Sequence, residues 1–314
     1  MSHQLLILSR HADAYRELVE AARLPGLRIT SAAAASASAG EAAAAAADVV
    51  LGEPSLVREV LSRLPKLQWV QATWAGVEPL LDPSLRRDYL LTNARGVFGS
   101  LMSEYVFGYL LAHERKIFDK RASQLAGKWD PTHPGTLRGK RIGLLGVGSI
   151  GAALARTAKH FGMDVKGYTR ASRDCPDVDE YFHGDRAAFA ADLDYLVSIV
   201  PNTAATVRLV DATLLAALPP RAVFVNPGRG SVVDESALAD ALQSGRLAGA
   251  VLDVFQQEPL PPDHVFWRTP NVQITSHTAA ISFPKDIAPV FIENYRRLVA
   301  GEPLKYRVDF EAGY

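Results

Sequence analysis

Three glycines at the junction of a predicted strand and a predicted helix constrain this chain more than any other feature. The apolar run 141–145 is followed by Gly146, Gly148 and Gly151, and residues 149–161 have apolar side chains at roughly helical spacing. The first glycine permits a tight turn, the second lets a phosphate approach the backbone, and the third lets the helix pack closely on the strand. The helix N-terminus adds free N–H groups and partial positive charge. The pattern predicts a site for the pyrophosphate of a dinucleotide.

Short apolar runs alternate with helical patterns along the rest of the chain, which predicts doubly wound parallel α/β sheets. Before the glycines, strands are predicted near Leu5–Leu8, Val49–Leu51 and Leu67–Val70, with a helix near Tyr15–Ala22. After them, strands are predicted at 164–168, 195–200, 222–226, 249–253 and 272–275.

The length of 314 residues is about twice that of a single domain, so two domains are expected. The apolar segment Leu101–Phe118 predicts a long helix that ends among basic residues, and it is too apolar all round for a surface helix. We expect this helix to mark the crossover from one domain to the other and to be buried between domains or subunits. The predicted organisation is a Rossmann domain over 101–281 inserted in a domain of 1–100 plus 282–314, whose last part carries a helical pattern.

Composition excludes some functions. Lys plus Arg and Asp plus Glu number 34 each, so no net field favours nucleic acid or an anionic membrane. The single cysteine, Cys175, cannot form an internal disulfide and is expected in a surface loop, with no metal site. The chain has no long apolar run and no signal peptide, which predicts a cytoplasmic protein. The Ala-rich tract 32–47 is interpreted as a helix and a loop.

The segment after the strand predicted at 164–168 indicates which dinucleotide is bound. A domain that prefers NAD usually has an acidic residue there, which binds the adenosine ribose hydroxyls. This chain has Arg170 and Arg173 instead. Guanidinium groups form charge-assisted hydrogen bonds to a phosphate, which a carboxylate would repel. The sequence therefore favours NADP(H) over NAD(H), and a solvated basic loop is the alternative.

Polar residues follow three of the later predicted strands. Arg229 lies between two glycines, Glu258 precedes a proline, and His277 follows a threonine and a serine. The carboxyl ends of parallel strands form the edge at which such sheets bind ligands. Taken singly, such an arginine is more often a solvated surface residue, and such a histidine more often has a structural role.

Together these segments resemble the D-isomer-specific 2-hydroxyacid dehydrogenase family, in which Arg, Glu and His occur in this order. The resemblance spans nearly the whole chain and includes the segments 74–77, 137–140, 200–206 and 266–271. It implies a flavodoxin-like substrate domain beside the Rossmann domain, with the active site in the cleft. One departure is Ser276, because the family commonly has proline before the histidine.

The resemblance also implies the reaction, which is reduction of a 2-keto acid to a D-2-hydroxy acid. Hydride adds to the carbonyl carbon while a proton reaches the oxygen. His277 is the expected acid and base, because an imidazole titrates near ~6.5. Glu258 would fix its tautomer and favour the imidazolium, and Arg229 would bind the substrate carboxylate and polarise the carbonyl.

Further binding residues follow from the same resemblance. The cofactor set gains Ser149, Ile150, Val200, Pro201, Thr206, Pro227, Gly228 and Asp253, the last of which would meet the nicotinamide carboxamide. The substrate set is Trp74, Ala75, Gly76 and Val77, of which the last three would offer backbone N–H groups to the carboxylate. For Trp74, plain packing is an equal alternative.

The glyoxylate and hydroxypyruvate reductase branch fits best, by analogy, because small substrates and phosphate-preferring loops are associated there. A bulkier or phosphorylated 2-keto acid, such as phenylpyruvate or 3-phosphohydroxypyruvate, is the first alternative. A nucleotide-sensing corepressor is the second, since the family includes such proteins. The resemblance also implies a homodimer built around the 101–121 helix.

Overall fold

The computed structural model of the chain describes residues 2–33, 41–170 and 174–313. The chain divides into two compact units, Met1–Val97 with Ser282–Tyr314 and Phe98–Ile281, called here the first and the second unit. No helix in these described ranges is long and apolar enough to cross a membrane.

The first unit contains a five-stranded parallel sheet with the order β2-β1-β3-β4-β5. Its strands are β1 (His3–Ser9), β2 (Leu27–Ala33), β3 (Val49–Gly52), β4 (Trp69–Ala72) and β5 (Leu90–Thr92). Its helices are α1 (Ala12–Ala21), α2 (Glu41–Ala46), α3 (Pro54–Val60) and α10 (Pro284–Ala300). This strand order is the flavodoxin-like one. Strands β3 and β4 are buried along their whole length, because helices cover the faces of a parallel sheet.

Helix α10 supplies part of the core of the first unit, although it lies at the end of the chain. Its Phe291 and Tyr295 are fully buried. The Phe291 ring stacks on Trp69 with 5.2 Å between ring centroids, and the Trp69 indole donates a hydrogen bond to Thr92 Oγ1 at 2.8 Å. The helix predicted in this region is therefore confirmed.

The second unit contains a seven-stranded parallel sheet with the order β12-β11-β10-β9-β6-β7-β8. Its strands are β6 (Arg141–Leu145), β7 (Asp164–Tyr168), β8 (Glu180–Phe182), β9 (Tyr195–Ser198), β10 (Val223–Asn226), β11 (Gly249–Leu252) and β12 (Val272–Ile274). Its helices are α4 (Gly99–Glu114), α5 (Ile117–Leu125), α6 (Ser149–His160), α7 (Arg186–Ala190), α8 (Ala212–Ala217) and α9 (Glu235–Gln243). The strand order is that of a Rossmann sheet, with a reversal between β6 and β9. The predicted fold class, two doubly wound parallel sheets, is confirmed.

The prediction of one long helix over Leu101–Phe118 is wrong in one respect, because the segment forms parts of two helices. Helix α4 ends at Glu114, and Lys116 has a left-handed backbone with φ of 56°. The Glu114 carboxylate is buried and accepts a hydrogen bond from the Tyr195 hydroxyl at 2.6 Å. That long-range bond fixes the end of α4, so the chain turns before the apolar pattern ends.

Three strands were not predicted, namely β2, which has seven residues, and β5 and β8, which have three each. The Ala-rich tract 32–47 contains the end of β2 and all of α2. The remainder of that tract, 34–40, lies outside the described residues. Cys175 lies in a loop and is half-buried.

Candidate active site

The chain turns sharply from β6 into α6 at the three glycines. Gly146 has φ of +98°, a left-handed conformation that favours glycine. A Cβ on Gly151 would lie 2.5 Å from the Gly146 carbonyl oxygen, so only glycine lets α6 begin this close to β6. A Cβ on Gly146 would lie 3.1 Å from the Val200 side chain. The loops after β6 and β9 therefore adjoin where the strand order reverses, which is where such sheets bind ligands.

Gly148 differs from the other two glycines because a Cβ there would meet no atom of the described residues within 4 Å. Gly148 is exposed, and so is Ser149, the first residue of α6. The N–H groups of a first helical turn have no partner within the helix, and the Gly148 N-cap position of α6 has no side-chain cap among the described residues. Open space beside free donors fits a phosphate group, as the dinucleotide hypothesis requires.

The two arginines predicted to select the phosphate lie beyond β7. Arg170 follows the end of that strand and is exposed. Arg173 lies outside the described residues. The structure therefore gives the position of Arg170 only.

The loop after β9 is closed by a threonine. The Thr206 hydroxyl donates to the Pro201 carbonyl at 2.6 Å and accepts from the Thr203 N–H at 2.9 Å. Pro201 is exposed and Val200 is half-buried, so both lie at the surface where the strand order reverses.

The loop after β10 holds Arg229 between two close backbone contacts. A Cβ on Gly228 would lie 2.8 Å from a carbonyl oxygen at the end of β9, and one on Gly230 would collide with the backbone that follows β11. The buried Asn226 amide fixes the loop, since Nδ2 donates to the Arg229 carbonyl at 3.0 Å and Oδ1 accepts from the Gly228 N–H at 3.2 Å. Pro227 is also buried. Both glycines are thus needed to seat Arg229 between the neighbouring loops.

His277 and Glu258 form a hydrogen-bonded pair at the same edge of the sheet. His277 Nδ1 lies 2.8 Å from Glu258 Oε2, and Glu258 Oε1 accepts from the Phe255 N–H at 2.9 Å. The carboxylate is therefore fixed through both oxygens. The His277 side chain is 56% exposed, and its Nε2 has no hydrogen bond to any residue in the described ranges.

These two groups shift each other's titration. The hydrogen bond from Glu258 raises the pKa of His277 above its ordinary value of 6.5, although burial opposes the shift. Burial by itself would raise the pKa of Glu258, but hydrogen bonds from His277 and from the Phe255 N–H lower it overall. The positive charge of Arg229 lowers the pKa of both groups. The pair therefore favours an imidazolium beside a carboxylate, which is a proton donor.

Asp253 holds the turn that carries His277. Its buried carboxylate accepts from the Thr278 N–H at 2.8 Å and from the Ala279 N–H at 2.9 Å, and its carbonyl oxygen accepts from the His277 N–H at 2.8 Å. His277 itself has a left-handed backbone with φ of 56°. This conformation is rare outside glycine, so the turn depends on these hydrogen bonds.

In the first unit, the loop after β4 differs from the His277 turn in how its backbone N–H groups are used. The N–H groups of residues 75–77 donate to no acceptor in the part of the chain that the structure describes. The Asn93 amide donates to the Ala75 carbonyl at 2.9 Å, and the Ala94 N–H donates to the Trp74 carbonyl at 3.0 Å. Because N–H and C=O point in opposite directions in a trans peptide, these bonds orient two of the free N–H groups.

The structure thus brings Arg229, Glu258 and His277 together and joins the glycine loop to Val200. Asn226 and Asn93 were not among the predicted residues. Asn226 had a usable signal, since an asparagine before Pro-Gly is typical of a turn that its own side chain stabilises. Across residues 2–33, 41–170 and 174–313, no group of three or more His, Cys, Asp or Glu side chains could hold a metal ion.

Known proteins are similar to this chain in sequence and in fold. The sequence model of the D-isomer specific 2-hydroxyacid dehydrogenase NAD binding domain matches residues 107–279. Glyoxylate/hydroxypyruvate reductase A of Serratia proteamaculans is 34% identical over 266 residues, which is 82% of this chain and 84% of that protein.

Two crystal structures extend the similarity to nearly the full length. A D-isomer specific 2-hydroxyacid dehydrogenase family protein from Aeromonas salmonicida is 42% identical with a TM-score of 0.94, over 99% of this chain and 100% of that one. An NADPH-dependent glyoxylate/hydroxypyruvate reductase from Sinorhizobium meliloti, in complex with NADP and sulfate, is 30% identical with a TM-score of 0.87, over 99% of each chain. The chain therefore belongs to the D-isomer specific 2-hydroxyacid dehydrogenase family.

Proposed function

We propose that this chain uses NADPH to reduce a small 2-keto acid, such as glyoxylate or hydroxypyruvate, to the D-2-hydroxy acid. The observation that carries this proposal is the 2.8 Å contact between His277 and Glu258, on the sheet edge that also bears Arg229 and the glycine loop. The names of the Serratia and Sinorhizobium relatives support the substrate class and the cofactor.

The second unit would hold the cofactor. The open space at Gly148 and the first turn of α6 would receive the pyrophosphate, and the exposed Arg170, with Arg173, would bind the 2′-phosphate. Residues at the ends of β9, β10 and β11 would line the rest of the site, namely Val200, Pro201, Thr206, Pro227, Gly228 and Asp253. The Asp253 carboxylate still has acceptor capacity for a carboxamide. When bound, NADPH supplies the hydride that adds to the carbonyl carbon.

The proton would come from His277. In the imidazolium form, Nδ1–H donates to Glu258, which leaves Nε2–H to protonate the carbonyl oxygen. Arg229 would bind the substrate carboxylate and stabilise negative charge that develops on the carbonyl oxygen. Glu258 acts through the histidine, because it fixes the ring and favours the charged form.

The first unit would bind the substrate carboxylate. The N–H groups of residues 75–77, which have no acceptor in the described ranges, are donors available to an anion, beside Trp74. We therefore assign the substrate domain to 1–100 with 282–314 and the dinucleotide-binding domain to 101–281.

We also propose a homodimer that forms through α5 and the loop after it. Helix α5 has no buried side chain, and four large apolar residues there are exposed, Ile117 by 51%, Phe118 by 47%, Leu125 by 72% and Trp129 by 94%. Such a patch is typical of a protein interface. Light scattering on a Leu125→Glu, Trp129→Glu variant should give a monomer, whereas a dimer of unchanged mass would contradict this assignment.

The activity test is oxidation of NADPH and of NADH with a panel of 2-keto acids. The panel contains glyoxylate, hydroxypyruvate, phenylpyruvate and 3-phosphohydroxypyruvate, which separates the proposed substrates from bulkier and phosphorylated ones. The proposal predicts the highest kcat/KM for the two small acids with NADPH. Tight NADPH binding without turnover of any acid would instead favour the corepressor alternative.

The cofactor assignment has its own test. Arg170→Ala should raise the KM for NADPH far more than the KM for NADH, because only NADPH carries the phosphate. Equal effects on both cofactors would mean that this loop does not bind the phosphate.

A further inference from the structure

Tyr105 on α4 reaches the turn that carries His277, although 170 residues separate it from its partner there. Its hydroxyl oxygen lies 2.8 Å from Thr275 Oγ1, at the start of the turn. The Tyr105 ring is half-buried and packs against Tyr109, with 5.0 Å between ring centroids. Tyr105 and Thr275 both belong to the second unit.

The direction of the hydrogen bonds follows from proton counting. The Thr275 hydroxyl donates its single proton to Asp253 Oδ1 at 2.5 Å, because a carboxylate only accepts. The Tyr105 hydroxyl must therefore donate to Thr275. Burial, opposed by the bond to Thr275 and aided by the charge of Asp253, raises the pKa of Tyr105, so this donor keeps its proton. The result is a chain of hydrogen bonds that points from α4 to a buried carboxylate.

That carboxylate is the one that fixes the His277 turn. Asp253 is 1% exposed, and it accepts the N–H groups of the two residues after His277. Its carbonyl oxygen accepts the His277 N–H. The left-handed backbone of His277 therefore depends on where the Asp253 side chain is held. Thr275, to which Tyr105 donates, binds Asp253 Oδ1, the same oxygen that accepts the Thr278 N–H.

We propose that Tyr105 is a positioning residue for the acid–base histidine, acting through Thr275 and Asp253. The role rests on the proposed function of His277. The hydroxyl of Tyr105 keeps Asp253 in the geometry that holds His277 Nδ1 against Glu258. The charged groups that act on the His277 ring are Glu258, Arg229 and Asp253, and Tyr105 itself carries no charge.

Tyr109 provides a matched control on the same helix. It lies one turn beyond Tyr105, is also half-buried, and its hydroxyl forms no hydrogen bond with any residue in the described ranges. Tyr105→Phe and Tyr109→Phe each remove one hydroxyl from adjoining rings. Only the first breaks the chain to Asp253.

Two measurements on these variants test the proposal. In steady-state kinetics, Tyr105→Phe should lower kcat by about two- to tenfold, the worth of one hydrogen bond. In an NMR titration of ¹³C-labelled histidine, assigned with His277→Gln, the pKa of His277 should be lower in Tyr105→Phe than in the wild type. Tyr109→Phe should match the wild type in both.

A double-mutant comparison separates positioning from general loosening. Thr275→Val interrupts the same chain, so adding Tyr105→Phe to it should cause little further loss of kcat, and Thr275→Ser should retain the wild-type value. Additive losses, or equal His277 titrations in Tyr105→Phe and Tyr109→Phe, would overturn the positioning role. If the wild type reduces no keto acid, the proposed function fails, while the NMR titration still decides the role of Tyr105.

Discussion

The loop after β4 in the first unit and the turn after β12 in the second both follow a parallel strand at its carboxyl end, yet they use their backbone N–H groups in opposite ways. In residues 75–77 the N–H groups have no acceptor within the described ranges, and the neutral Asn93 amide binds the Ala75 carbonyl behind them. In the turn after β12 the N–H groups of His277, Thr278 and Ala279 are all bound by Asp253. The first loop is thus open to an anion, and the second is closed.

The difference separates two tasks that a reductase of 2-keto acids must perform. Binding a carboxylate requires unpaired donors that the ligand can satisfy. Positioning an acid requires a backbone that does not move, so its donors must be satisfied within the protein. The closed turn can therefore hold His277 in a left-handed conformation. Under the proposed function, the open loop would leave its donors for the substrate carboxylate.

The largest effect should come from the side chain that the closed turn carries. His277→Ala should lower kcat by about 10²–10⁴-fold, because the general acid is lost, while the Kd for NADPH stays the same. Turnover by stopped-flow and NADPH binding by fluorescence measure both. Unchanged turnover would mean that His277 is not the general acid. The closed turn would then have no role in proton transfer.

The next effect should come from the residue that closes the turn. Asp253→Asn keeps the shape but replaces one accepting oxygen with a donor, so a buried N–H loses its partner. The free energy of unfolding should fall by about 1–3 kcal/mol, and kcat should fall as well. Asp263→Asn, at an exposed position of the same unit, is the control. If chemical denaturation shows equal stability for the two variants, the turn does not depend on Asp253.

A smaller and different effect is expected in the open loop. Asn93→Ala removes the amide that orients the Ala75–Gly76 peptide, so the KM for the keto acid should rise by about two- to tenfold at constant kcat. The KM for NADPH serves as the internal control. A loss of kcat without a change in the KM for the keto acid would mean that the open loop, like the closed turn, acts on the reaction step and not on substrate binding.

The same contrast explains which parts were predictable from sequence. Strands such as β9 and β10 are continuous apolar runs, and Arg229, Glu258 and His277 lie in recognisable segments. The short edge strand β8 has no such pattern. The end of α4 is fixed by Glu114 and Tyr195, which are 81 residues apart, and Tyr105 meets a residue 170 positions away. Local sequence does not encode contacts at that separation.

The smallest effect concerns pH. Under the proposed mechanism the imidazolium is the active form for reduction, so kcat/KM should be constant below the His277 pKa and should fall as pH rises through it. Since Glu258 raises that pKa above 6.5, the midpoint of the fall should lie above 6.5. Glu258→Gln should move the fall to lower pH, and Asn93→Ala should not move it. Superimposed pH profiles for Glu258→Gln and the wild type would contradict the pairing.

The open and closed loops can be compared directly by backbone amide NMR in the presence of NADP and oxamate, an unreactive analogue of a 2-keto acid. The oxamate-induced shifts, measured against the NADP-bound protein, should be large for the amides of Ala75, Gly76 and Val77 and small for those of Thr278 and Ala279. The opposite distribution, or no shift at residues 75–77, would contradict the assignment of carboxylate binding to the open loop and of proton donation to the closed turn.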